Sequence, residues 1–367
     1  MMRKDEGTNQ IKIGISILLA AASVALIAAA RQAPGFAQWY GTHLYPVWVG
    51  SIGRVMGYFP FSVSEILLYL LAACFLTGFA RRAIRWLTGG CGKMFQRSQP
   101  AGNVWNVVLL AAILCFLYVV NCGINYHKES FSEISGISVE EYTAEELKEV
   151  CQWLTDRVAA YSGKVKRGSE GEMLIDVSLE THAAEAMKEL GEEYSELVGY
   201  YPNPKELMNS WILSVQSLSG VYSPFTIEAN YNGDMPDYYI PFTACHELSH
   251  LRGFMQEQEA NFISFLACTE SEEAAFAYSG NLSGWVQCMN VLYRADYDAW
   301  EEIRERLPEE AEADLKINRE FWAKYDGRIA EVSNRINDTY LKANGQKDGV
   351  ESYNRMVDLI VSYYKTR

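Results

Sequence analysis

The sequence predicts a mainly α-helical protein: three transmembrane helices, then a mostly helical domain with a small β-hairpin or sheet just before a histidine-bearing helix. Three observations carry that expectation. Apolar runs long enough to cross a bilayer crowd the chain before residue 122 and are missing after it. Beyond residue 122, apolar residues recur at the three-to-four spacing of amphipathic helices. One segment there, Phe225 to Tyr231, alternates with a period of two, and it lies a few residues upstream of His246-Glu247-Leu248-Ser249-His250.

The first apolar run, Ile11 to Ala30, is broken only by Lys12; the second covers Val63 to Ala80 and the third Val104 to Val120. Two further runs close behind the first favour an anchored helix over a cleaved leader. Arg3 and Lys4 precede the first run, and Arg81, Arg82, Arg85, Lys93 and Arg97 crowd the loop between the second and third. The loop from Arg31 to Ser62 holds only Arg31 and Arg54, among the aromatics Trp39, Tyr40, Tyr45, Trp48 and Tyr58. The positive-inside rule then puts the N-terminus and the 81–97 loop in the cytoplasm. Three crossings leave a multi-pass cell-membrane protein with residues 1–122 in the bilayer and residues 123–367 as an extracytoplasmic domain. A net charge of −14 argues against nucleic acid as a partner. The eight cysteines show no CxxC spacing and read as small buried hydrophobes.

Thr143 and Glu146 form a capping box ahead of a stripe of Leu147, Val150, Cys151, Leu154 and Val158. Ser178 to Leu197 reads as another amphipathic helix, with Ala183, Met187, Leu190, Tyr194 and Leu197 facing inward. Pro204 suits the first turn of a helix ending near Ser217, and helical patterns return over Arg319–Lys342 and Tyr353–Tyr364. The strand Phe225–Tyr231 meets a turn signal at Asn232-Gly233-Asp234, with Tyr238-Tyr239-Ile240 as a short return.

The chemistry is concentrated at His246 to His250. Positions four apart on a helix lie about 40° from eclipsed, so both imidazoles leave one face and can bind one ion. Glu247, about 100° round, can hold a water at that ion without ligating it. Gly253 suits the left-handed cap that ends such a helix. A hydrolytic zinc site needs a third protein ligand and one open position. Gln256 occupies the place of the third histidine in the longer HExxHxxGxxH pattern, and glutamine is a poor zinc ligand. Glu257 and Glu259 on the following helix are the remaining candidates; about 200° apart, they cannot both point at one ion.

Residues 241–254, running into Glu257–Leu266, resemble a bacterial membrane family catalogued as domain of unknown function 3810, grouped with zinc metallopeptidases of the glutamate-ligand type. Tyr222-Ser223-Pro224-Phe225, Tyr278-Ser279-Gly280 and Gly349-Val350-Glu351-Ser352-Tyr353 fit it as well. Glu257 and Asn261 are similar to the E-x-x-x-D arrangement of such enzymes, where the first residue binds metal and the fifth steadies a histidine. The resemblance implies a zincin-like domain with Zn2+ on His246, His250 and Glu257, and Glu247 as general base. It further implies a peptide or protein substrate. The strand before the motif is where zinc peptidases commonly pair an extended substrate by edge addition, and a small structural hairpin is the equal alternative. Asn261 stands in the usual place of an aspartate and would raise histidine basicity less. Tyr278 and Arg294 are the nearest downstream candidates for a second oxyanion stabiliser, and each reads more readily as structural. The apolar lead-in Ile240–Cys245 is too short to bury the motif in a bilayer. The alternative reading is an inactive anchored peptide-binding or sensor protein that keeps the zincin fold.

Overall fold

The computed structural model describes residues 2–87, 100–137, 139–346 and 355–366. Cys91, Lys93 and Arg97 of the basic loop, and the Gly349–Tyr353 segment, lie outside the described residues. Three helices, Met2–Gln32, Val63–Leu87 and Pro100–Tyr118, carry the apolar runs. Stretches long and apolar enough to cross a membrane cover Gly7–Gln32, Val63–Ile84 and Val104–His127, each longer than the run read from the sequence. The first and third pack side by side.

Between the first two long helices the chain winds in α turns interrupted by five-residue π turns at Tyr40–Leu44 and Val49–Gly53. This segment packs into the same core as the residues beyond 122. Tyr45 is fully buried; its hydroxyl donates to the Leu251 carbonyl at 2.9 Å and lies 2.9 Å from the Tyr222 hydroxyl. Two buried carboxylates fasten the start of the Val63–Leu87 helix. Glu228 accepts from the Val63 and Ser64 amides at 3.0 and 2.9 Å, using the otherwise unpaired donors of a helix N-terminus. Glu228 also pairs with buried Lys205, whose ammonium donates to the Met56 carbonyl. Glu65 accepts from the Met208 and Asn209 amides at 2.9 and 3.0 Å and from the Tyr69 hydroxyl.

The capping box of Thr143 and Glu146 opens Ala144–Ser162 as expected, and the Leu147 to Val158 stripe is buried. The next helix, Leu179–Glu193, stops short of Leu197. The chain folds back tightly over Gly191, where a Cβ would sit 3.3 Å from the Leu197 backbone. The helix expected after Pro204 is not formed: Lys205–Glu206 is a strand, β3, and only Trp211–Ser214 is helical. Pairing with its sheet neighbour brings Lys205 to Glu228, and that pairing overrides the helical signal.

A short hairpin, β1 (Lys166–Arg167) with β2 (Met173–Leu174), stands apart from the main sheet. The main sheet has the order β3-β5-β4, where β4 is Gly220–Ser223 and β5 is Glu228–Tyr231. β3 runs parallel to β5, and β4 pairs antiparallel with it, Val221 opposite Asn230. The alternating segment is therefore only half strand. Residues 224–227 form the turn, closed by the Ile227 amide on the Ser223 carbonyl at 2.8 Å. The hairpin partner lies upstream at β4, and the expected return at Tyr238–Ile240 is instead a 3-10 turn, Asp237–Tyr239, feeding the motif helix.

That helix, Ile240–Leu251, is buried on almost every side and packs on β4, β5 and the Leu179–Glu193 helix. Glu257–Glu270, Ala274–Ala295, Tyr297–Arg304 and Glu309–Ala323 follow. The single pattern read over Arg319–Lys342 is two helices, because the chain breaks after Ala323 and re-enters at Arg328–Ala343 past Gly327; Arg355–Thr366 closes the chain. Cys122, Cys151, Cys245, Cys268 and Cys288 are buried free thiols, and Cys74 and Cys115 face outward from the long apolar helices.

Candidate metal centre

The geometry of the centre follows from how the motif helix ends. Gly253 takes φ 95°, in the left-handed region, and the chain closes as a Schellman cap. The Gly253 amide donates to the His250 carbonyl at 2.8 Å, and the Phe254 amide to the Ser249 carbonyl at 3.1 Å. A Cβ at 253 would also lie 3.1 Å from the Tyr45 ring, so the close packing of Tyr45 adds a second demand for glycine. The reversal carries the Phe254 carbonyl back to 2.8 Å from His250 Nδ1. With that nitrogen donating, His250 Nε2 is the lone-pair nitrogen turned to the centre.

The Glu257–Glu270 helix then places a carboxylate against both rings. Glu257 Oε2 lies 3.4 Å from His246 Nε2, and Oε1 lies 3.7 Å from His250 Nε2. One donor atom from each of the three residues falls within 4.8 Å of the others. Ligands at zinc distances in a tetrahedron are about 3.3–3.5 Å apart, so the triad is close to a size that encloses one divalent cation. Two neutral-capable imidazoles and a carboxylate suit zinc and its neighbours in the first transition series. The donor set fits, and the described residues could hold a metal ion here.

Glu259 goes elsewhere. Its oxygens accept from the Ser132 amide and hydroxyl, each at 2.9 Å, far round the helix from the histidines. Asn261, one turn after Glu257, lies against His246 and favours its protonated form, yet His246 Nδ1 makes no hydrogen bond. Tyr278 is buried and donates to Asp314 at 2.5 Å, and Asp314 also pairs with Arg167. Arg294 is exposed in the last turn of its helix. Neither lines the cleft at the centre.

Glu247 sits beside the triad, almost wholly buried. Burial pushes its carboxyl up to about 8, with the Glu257 charge adding to the shift while His246 and the Tyr222 amide oppose it. Oε2 has no hydrogen-bond partner. His250 is pushed down to about 4 by burial and by the charge on His246. For His246 burial works downward, and the Glu257 carboxylate outweighs it and raises the value. All four side chains open into a cleft of about 1060 Å³.

Three contributors were invisible in the sequence. Gly220 on β4 leaves room for Glu247: a Cβ there would lie 2.5 Å from its Oε1. Tyr239 lines the cleft, and burial with the Glu257 and Glu247 charges lifts its phenol to about 12, so it remains a proton donor. Tyr340, on the Arg328–Ala343 helix, also lines it, with its hydroxyl 3.3 Å from that of Tyr126. No local pattern marks any of them, because each is brought in by tertiary packing.

Fold and site together define a mainly helical protein with three helices long and apolar enough for a membrane and a two-histidine, one-glutamate group able to hold a metal ion. The chain belongs to the family described as "Protein of unknown function (DUF3810)", which it matches over residues 40–361. The match takes in the segment carrying Tyr45 as well as the centre. No curated protein and no solved structure matches the chain.

Proposed function

We propose that the protein is a membrane-anchored, zinc-dependent peptidase whose domain beyond residue 122 works outside the cytoplasm. The observation that carries this reading is the sharing of one Glu257 carboxylate between His246 and His250, with Glu247 alongside and open to the same cleft. A divalent cation on that triad would polarise a water and the scissile carbonyl. Glu247, beside the triad and with one oxygen unpartnered, is suited to take a proton from the attacking water and pass it to the leaving amine. Among the described residues the second edge of β4 has no strand partner, and it borders Glu247, so an extended peptide would pair along it. Tyr239 stands ready as a neutral donor to the developing oxyanion.

The test is Glu247→Gln in the full chain, purified in detergent and given a peptide library with and without a zinc chelator. The variant should keep its zinc and lose hydrolysis by roughly 10²–10⁴-fold. An undiminished rate would contradict the role of Glu247. Zinc retained by a wild type that hydrolyses nothing would favour a peptide-binding or sensor protein instead.

A further inference from the structure

The cleft that contains the metal centre runs on to two of the helices long and apolar enough to cross a membrane. Its wall continues through Ser64, Glu65, Leu68 and Tyr69 of the Val63–Leu87 helix and through Tyr118 and Cys122 at the end of the third span. Leu68 is five residues inside the Val63–Ile84 span, about 7.5 Å along the helix axis. The headgroup layer is about 5–7 Å deep on each face, so Leu68 reaches the edge of the hydrocarbon. It is also 56% exposed. The first and third spans pack together, whereas the second stands apart, only 6% of its most apolar stretch being buried. The gap between the second span and that pair therefore shares one cleft with the metal centre, and in a bilayer it would face lipid.

We infer that the substrate is a membrane-anchored polypeptide cut close to its anchor, the apolar anchor resting between the second span and the first–third pair while the adjoining extended residues reach Glu247. This rests on the peptidase reading above: water adds its oxygen to the carbonyl carbon, the C–N bond breaks, and the amine leaves with the proton. Two features favour an anchored chain over a free peptide. Leu68, 56% exposed, lines the cleft where it meets the second span, beside Ser64, Glu65 and Tyr69. Glu228 and Glu65 hold the start of the second span rigidly to the domain, so the opening keeps a fixed relation to the metal centre.

The experiment reconstitutes the full chain in phosphatidylcholine–phosphatidylglycerol vesicles with one randomised twelve-residue library in three forms. One is fused directly to a single leucine–alanine span, one is tied to lipid through a long polyethylene glycol spacer, and one is free. Direct fusion should raise chelator-sensitive cleavage on the order of tenfold or more over both other forms, since the spacer form shares its surface concentration but lacks the anchor's placement. Equal rates for the fused and spacer forms, or preference for the free library, would overturn the inference and leave the peptidase reading standing. No cleavage of any form above Glu247→Gln would remove the peptidase reading. A second arm separates docking from catalysis. In zinc-loaded Glu247→Gln, a benzophenone amino acid replacing Leu68 should crosslink the fused library at least about tenfold more than the free one. Equal labelling of both, or labelling of lipid alone, would overturn the inference.

Discussion

A side chain on Gly220 would collide with Glu247: a Cβ at residue 220 lies 2.5 Å from Glu247 Oε1 and 2.9 Å from the Asn230 carbonyl oxygen. The carboxylate is thus aimed by the absence of an atom on the neighbouring strand. Gly220→Ala should turn Glu247 aside and lower peptide hydrolysis by roughly 10²-fold with zinc content unchanged, since about 1 Å of misplacement costs on that scale. Turnover within twofold of wild type would show that Glu247 tolerates the displacement.

Asn261 lies beside His246 without giving its Nδ1 a hydrogen bond. A carboxylate at that place would accept the Nδ1 proton, fix the tautomer and raise the ring's basicity. Asn261→Asp should tighten zinc binding by about tenfold, measured by competition with a chelating dye. Weaker binding in the variant would mean that His246 is oriented by another group.

Burial holds the Glu247 proton far into the neutral range, the carboxyl moving from 4.5 to about 8. Between those values the unfolded chain has lost that proton and the metal-free folded protein has kept it. The folded state binds more protons, so this contribution to stability falls as pH rises. Glu247→Gln removes the group. In the presence of chelator the variant should gain on wild type by roughly 1–4 kcal/mol between pH 5 and pH 8, as read from thermal unfolding. A difference that does not vary with pH would contradict the burial of an ionisable carboxyl at this position.

Glu228 and Lys205 are a buried pair, 2% and 7% exposed, and Glu228 also accepts the first amides of the second span. Neutralising one partner strands the other charge. Glu228→Gln should destabilise the protein by roughly 3–5 kcal/mol and detach the span from the sheet. A loss below about 1 kcal/mol would place the energy of this junction elsewhere.

Legibility in the sequence followed the range of the interactions. The three apolar runs, the Thr143 capping box and the Gly253 cap are local signals and reappear where they were expected. Phe225–Tyr231 was readable as extended, but its turn and its partner depended on pairing with Gly220–Ser223 and Lys205–Glu206. Pro204 gave a helical cue that the Lys205–Glu228 pair overrode. At the centre, the spacing of His246 and His250 is written in the chain, while the choice between Glu257 and Glu259 is made by the angle at which the second helix leaves the cap. The contact of Gly220 with Glu247, and the presence of Tyr239 and Leu68 in the cleft wall, arise only when distant segments meet. The burial of Tyr45 between Leu251 and Tyr222 was equally unreadable, since it joins a loop between two spans to the end of the motif helix.

The central claim is that one divalent cation is held by His246, His250 and Glu257. Zinc per chain, measured by mass spectrometry on purified wild type, Glu257→Gln and Glu259→Gln after equal dialysis, tests it most directly. Wild type and Glu259→Gln should each carry about one zinc, with Glu257→Gln falling by tenfold or more. Zinc lost from Glu259→Gln and kept by Glu257→Gln, or absent from all three, would contradict it.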